Sequence, residues 1–158
     1  MIKLRIISIL FSISIFLFGC SSGEWDGPTG EQRDPMVLQV IPPSGGNNVG
    51  TGDNIVAFFN RDMDPSTVNM GNYYVVEYNE YHSATVGTTD GTVTTYGVMP
   101  PKIPGNYSYD ASQRAAIFSP RYLGATTTYL VIVETGMKDS TGRAMLTGYR
   151  WWFTTGTW

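Results

Sequence analysis

The chain has 158 residues, 15% of them charged, a formal net charge of −3, and 18 Gly, 9 Pro and a single Cys. That length fits one domain with a tail. One Cys excludes an internal disulfide, and the acidic balance argues against nucleic acid as a partner. Aromatic residues make up 13% of the chain, Tyr accounting for 10 of them. With the Gly and Pro content, this points to an all-β, turn-rich domain.

Met1 to Arg5 carries Lys3 and Arg5 and no acid, and Ile6 to Phe18 is a 13-residue apolar run broken only by Ser8, Ser12 and Ser14. A membrane-spanning helix needs roughly 20 residues, whereas the apolar core of a secretory signal needs roughly 7–15. Residues 1–19 therefore read as a cleaved signal peptide. Leu17, Phe18 and Gly19 lead into Cys20 and resemble a bacterial lipobox, in which a small residue admits the peptidase and the following thiol receives diacylglycerol. The chain's one thiol stands where that chemistry requires it. The resemblance implies a protein held to a membrane through acyl chains on Cys20, each buried CH₂ contributing about 0.8 kcal/mol. Phe18 is bulkier than the usual residue at its position. Ser21, rather than Asp, follows the Cys, as in outer-membrane lipoproteins of hosts with two membranes. The expected location is thus the cell envelope. The mature chain would hold 139 residues with 8 basic and 13 acidic side chains, a net charge of −5.

Residues 20–34 comprise the lipidated Cys and a Gly- and acid-rich stretch with the features of a disordered linker. Trp25 is its one large apolar residue, suited to docking on the domain or the membrane surface. From Pro35 the pattern changes to short β-type runs between turn signals. Met36 to Val40 forms a first run, stopped at Pro42 and Pro43. Ser44 to Asn48 reads as a turn. Asn54 to Phe59 is a strand with Ile55, Ala57 and Phe59 on one face, and Tyr73 to Tyr78 is another. Asp64-Pro65-Ser66-Thr67 suits a single helical turn, with Asp64 as cap and Pro65 in first position. No long helical period appears anywhere.

Thr89-Asp90-Gly91 is a hairpin signal between Val86 and Thr92 to Val98. Gly105 to Tyr109 and Arg114 to Phe118 flank a second hairpin turn. Thr127 to Glu134 directs Tyr129, Val131 and Val133 inward and also carries Leu130 and Ile132 on its other face. That second apolar face needs a cover, which the Asn79 to Pro104 segment is expected to supply. Lys138 to Gly142 is a turn, and Tyr149 to Thr155 is the last strand, with Tyr149, Trp151 and Phe153 on one face. Seven to eight strands within residues 35–156 predict a two-sheet β-sandwich.

Three stretches carry a family resemblance. The first runs from Asn54-Ile55-Val56-Ala57-Phe58-Phe59 through Met63-Asp64-Pro65-Ser66-Thr67. The second is Phe118-Ser119-Pro120, then Leu123, then Thr128-Tyr129. The third is Gly136-Met137-Lys138-Asp139-Ser140-Thr141-Gly142 with the closing Trp152-Phe153-Thr154-Thr155. Together and in this order they resemble the bacterial Ig-like domain of the SbsA type. The resemblance implies an Ig-like Greek-key sandwich with structural or adhesive roles and no shared catalytic residues. The long Asn79 to Pro104 segment departs from the family pattern, and loops of this kind often carry function. The turn at Asp139 to Gly142 offers an acceptor and a residue free to take positive φ, and Leu123 with Tyr129 resembles a tyrosine corner.

Chemistry-bearing residues are few. Catalysis by a nucleophile needs a neighbouring base, yet His82 is the one His and no Gly-x-Ser-x-Gly elbow accompanies it; no catalytic residue is assigned. Zinc calls for several His or Cys ligands. Calcium accepts carboxylates in turns, which makes Asp62, Asp64 and Asp139 its weak candidates, and no cofactor is expected. Amphipathic rings suit recognition surfaces, so Tyr78, Tyr81, Tyr96 and Tyr107 are candidates for stacking on a glycan. The sequence therefore points to a lipid-anchored envelope module with a structural or adhesive role, whose partners are the membrane and envelope proteins or glycans. Its alternative is a carbohydrate-binding module built on aromatic side chains of the 79–109 region.

Overall fold

Residues 34–85, 87–89, 92–94 and 99–157 are described in a computed structural model of the chain, with the backbone alone at 82–85, 87–89 and 92–94. Leu17 to Cys20, Trp25 and Tyr96, singled out above, lie outside the described residues, as does the side chain of His82. Strand β1 spans Val37–Ile41, β2 Gly46–Val49, β3 Ile55–Phe59 and β4 Tyr73–Glu77. Helix α1, Tyr78–Thr85, follows, then β5 Gly87–Thr89, β6 Thr92–Thr94, β7 Gly105–Asp110, β8 Ala115–Pro120, β9 Thr128–Val133 and β10 Tyr149–Thr155.

Eight of these strands form two four-stranded sheets, ordered β1-β3-β8-β7 and β2-β10-β9-β4, and β5 pairs with β6 as a separate hairpin. Neighbours in the large sheets are antiparallel except β2, which lies parallel to β10. The expected sandwich of seven to eight strands is thus present. Its interior comes from the period-2 pattern. Ile55, Ala57 and Phe59 of β3 face Tyr73 and Val75 of β4, Tyr129, Val131 and Val133 of β9, and Trp151 and Phe153 of β10, all buried in one cluster. Tyr73 sits at its centre. Its ring meets Phe118 edge-on at 6.3 Å and stacks on Trp151 at 6.3 Å. Its hydroxyl crosses between the sheets to donate to the Ile55 carbonyl at 2.8 Å.

Two readings of the sequence need correction. Ser44 to Asn48 is only in part a turn: Gly45 takes φ +78°, and Gly46 to Val49 then forms β2. Gly and Asn are poor strand formers, but the unpaired edge of β10 recruits them: the N–H groups of Gly45 and Gly156 donate to Trp152 and Val49 carbonyls at 2.8 and 2.9 Å. The second correction is α1, a helix where no helical period was read. A lone eight-residue helix is marginal in water; α1 is held because Tyr78 and Tyr81, three apart and so on one face, pack on Tyr74, Val76, Leu130 and Ile132. The cover that the apolar pattern of β9 required comes from α1, with Tyr81 from within the 79–104 segment and Tyr78 from just before it. The helical turn at Asp64 is also present as one 3₁₀ turn, Pro65–Thr67, with the Asp64 carboxylate accepting from the Ser66 N–H at 2.9 Å.

Candidate functional site

At one end of the sandwich the turns after β3, between β7 and β8, and between β9 and β10 meet around a surface cleft of about 630 Å³. Polar and charged residues line it, among them Asn60, Arg61, Asp62, Arg114, Asp139 and Arg143, with their alkyl carbons contributing to its walls. Backbone bonds stitch the walls together, since Asp64 N–H donates to the Lys138 carbonyl at 2.8 Å and Ser140 N–H to that of Asp62 at 3.0 Å.

Asp139 forms the floor and is buried. One carboxylate oxygen accepts from the Thr141 hydroxyl at 2.6 Å and from the Thr141 and Arg143 N–H groups at 2.9 Å each. The other pairs with the Arg61 guanidinium at 2.5 Å. Burial by itself would raise the carboxyl pKa, but the Thr141 hydroxyl, Arg61 and the two backbone donors override it and hold the group well below the usual carboxylate range. Gly142, at φ +88°, lets the turn close beneath the carboxylate. Asp62 meets Arg114 at 3.2 Å in an exposed pair, and Asp34 meets Arg143 at 3.8 Å, also exposed. Exposed pairs of this kind contribute about 0–1 kcal/mol.

Of the three calcium candidates, Asp62 and Asp139 thus share the cleft, each beside a guanidinium, while Asp64 caps the 3₁₀ turn. Among the described residues no group of three or more His, Cys, Asp or Glu side chains converges in metal-binding geometry. The arrangement is a charge-alternating clamp joining three loops. Arg61, Arg114 and Arg143 were not singled out in the sequence, because their partners are far away along the chain: 78 residues separate Arg61 from Asp139.

The aromatic candidates fall in two places. Tyr78 and Tyr81 sit on α1 against the outer face of β4 and β9, where the Tyr81 hydroxyl accepts from Arg150 at 3.0 Å. Tyr107 lies on β7 in the other sheet and packs on the main core, 5.0 Å from the Phe118 ring centroid. Its hydroxyl is buried and finds no hydrogen-bond partner among the described residues, and burial pushes its pKa up to about 12. The two groups do not form one surface. A neighbour the sequence did not disclose is Tyr74, which donates to Glu134 at 2.5 Å with the Lys102 ammonium 3.7 Å from its ring centroid. The tyrosine corner is present, with Gly124 N–H donating to the Tyr129 hydroxyl at 2.7 Å.

A family profile described as a bacterial Ig-like domain matches residues 31–155. No curated protein matches the chain. Among solved structures, the surface layer protein SbsC, domains 1–6, superposes with a TM-score of 0.50 at 16% identity, covering 80% of this chain and 14% of that one. CopC from Methylosinus trichosporium OB3b gives 0.51 at 10% identity, covering 77% and 93%. Alpha-2-macroglobulin of E. coli gives 0.51 at 12% identity, covering 80% and 6%. The chain therefore spans about a seventh of the SbsC chain. At these identities the likeness is one of fold.

Proposed function

The chain belongs to the bacterial Ig-like domain family, and from that premise we propose that it is a lipid-anchored envelope module with a structural or adhesive role, without catalysis of its own. One observation carries the reading. The single Cys closes Leu17-Phe18-Gly19-Cys20 after a 13-residue apolar run, a short tether ahead of an Ig-like sandwich. The sandwich supplies what such a role asks of it. Its interior is aromatic and β-branched, it needs no disulfide, and three loops at one end are joined by the Arg61–Asp139 and Arg114–Asp62 pairs. The likeness to an S-layer protein domain supports a place at the cell surface. In this reading Cys20 takes two or more acyl chains, since one alone anchors only marginally, and the module sits in the outer membrane of a host that has one. Replacing Cys20 with Ser tests it: the variant is expected to lose acyl labelling and leave the membrane fraction. Retention with unchanged processing would sink the anchor.

The second reading, glycan binding, is favoured by one feature, the half-buried Tyr81 ring beside Arg150 on the outer face of the β4-containing sheet. It narrows the aromatic site to Tyr78 and Tyr81.

A further inference from the structure

The outer face of the sheet that begins with β1 is apolar over three of its four strands. Register pairs Ile41 with Val56 and Val56 with Ile117, and it pairs Gln39 with Phe58. A bulge between Val37 and Gln39 turns Leu38 outward as well, so β1 presents two outward residues where a regular strand would present one. Leu38 is 65% and Ile41 45% exposed, and Val56, Phe58 and Ile117 are half-buried around them. Outward positions of β7 are polar instead, with Asn106 and Ser108 exposed. The opposite sheet has α1 over its apolar outer face; this one has no such cover among the described residues. Contiguous exposed apolar surface of this kind marks an interaction site.

We propose that this face lies on the bilayer to which Cys20 tethers the chain, with Leu38 and Ile41 in the headgroup region. The proposal rests on the lipid-anchor reading. What selects the bilayer is where the tether ends. The fourteen residues Ser21 to Asp34 lead through Pro35 and Met36 into β1, the edge strand that carries the most exposed part of the patch. At most about 3.4 Å per residue, they reach roughly 50 Å. The anchor therefore keeps the bilayer within that reach of the patch, and a tethered surface competes at high effective concentration. The net charge of −5 does not draw the mature chain to anionic headgroups, so apolar contact has to carry the docking, and the outward positions of β1, β3 and β8 carry no ionised side chain to oppose it. Amphipathic surfaces settle at interfaces in proportion to the apolar area they bury there.

The test couples the thiol of Cys20, the chain's only one, to a maleimide lipid in phosphatidylcholine nanodiscs that contain a nitroxide headgroup lipid. Amide NMR signals are then compared with those in a diamagnetic disc. Signal loss is expected at Leu38, Ile41, Phe58 and Ile117 and not on α1 or the cleft loops. The exposed double variant Leu38→Gln, Ile41→Gln should abolish that loss while keeping the dispersed spectrum of the fold. Three outcomes overturn the proposal: no loss on any strand, loss centred elsewhere, or loss unchanged in the double variant. Concentration-dependent broadening of the same residues without lipid would overturn it too, identifying a second copy as the occupant. Chemical coupling makes the result independent of cellular lipidation, so failure here leaves the Cys20 anchor standing, and failure of the Cys20→Ser experiment is read separately.

Discussion

Asp139 shows how one side chain ties its own loop to another that lies far away along the chain. It accepts three hydrogen bonds and an ion pair while buried. Removing its charge leaves Arg61 facing a partner that no longer compensates it. Asp139→Asn is expected to cost about 3 kcal/mol in urea unfolding, in the range for breaking a buried pair. The sign of its pH dependence follows from the depressed carboxyl. Unfolded Asp titrates near about 3.9, so above that pH the group's contribution is fully present. As pH falls below about 4 the unfolded state takes up the proton first, and stability declines toward the lower folded pKa. The difference between wild type and Asp139→Asn should therefore shrink on acidification, measured as unfolding free energies from pH 6 down to pH 2. The Asp139 turn was legible as a turn in the sequence, because Asp-x-x-Gly advertises both the acceptor and the positive φ. Its role as a floor was not, because Arg61 meets it only through the pairing of distant loops.

Among the elements, α1 and β2 depend most on their surroundings. Neither has a strong local signal: α1 is short and carries β-prone Tyr and Thr, and β2 is Gly-Asn-Asn-Val. Each forms because a neighbouring strand leaves something uncovered, the outer apolar face of β4 and β9 in one case and the edge of β10 in the other. Replacing both Tyr78 and Tyr81 with Ser should loosen α1 and leave the sandwich folded. The expected readout is faster amide exchange of the helix, with dye binding at the exposed Leu130 and Val76 and an unchanged β-sheet circular dichroism spectrum. Full loss of fold would show that α1 is part of the cooperative core. By contrast β3, β9 and β10 were read nearly to the residue, since runs of β-branched and aromatic side chains bounded by turn signals mark strands locally.

At the scale of the whole molecule, the sandwich is built on neutral buried tyrosines, and this limits it at high pH. Burial pushes the Tyr73 hydroxyl well above its ordinary range, burial and the neighbouring Glu134 raise Tyr74, and Tyr107 stands at about 12. A raised folded pKa means that the stabilisation is complete below the unfolded value of about 10 and is lost as pH rises toward the folded one. Unfolding midpoints should hold steady from pH 6 to about 9 and fall above 10, with Tyr73→Phe trading the cross-sheet bond to Ile55 for a weaker alkaline dependence. A midpoint that stays flat to pH 12 would contradict the placement of these rings. Local signals decided much about this protein: the bounds of its long strands, the turns with Gly and Asp, and the need for a cover over Leu130 and Ile132. They could do so because a side chain's face in a strand and a turn's φ are set within a few residues. Tertiary structure alone decided which strands share a sheet, that a Gly-Asn stretch becomes an edge strand, that Arg61 finds Asp139, and that Tyr107 of β7 and Tyr81 of α1 pack against different sheets. Those outcomes depend on pairing between segments far apart in the chain, where the competition for hydrogen-bonding edges and apolar faces is settled by the whole fold at once.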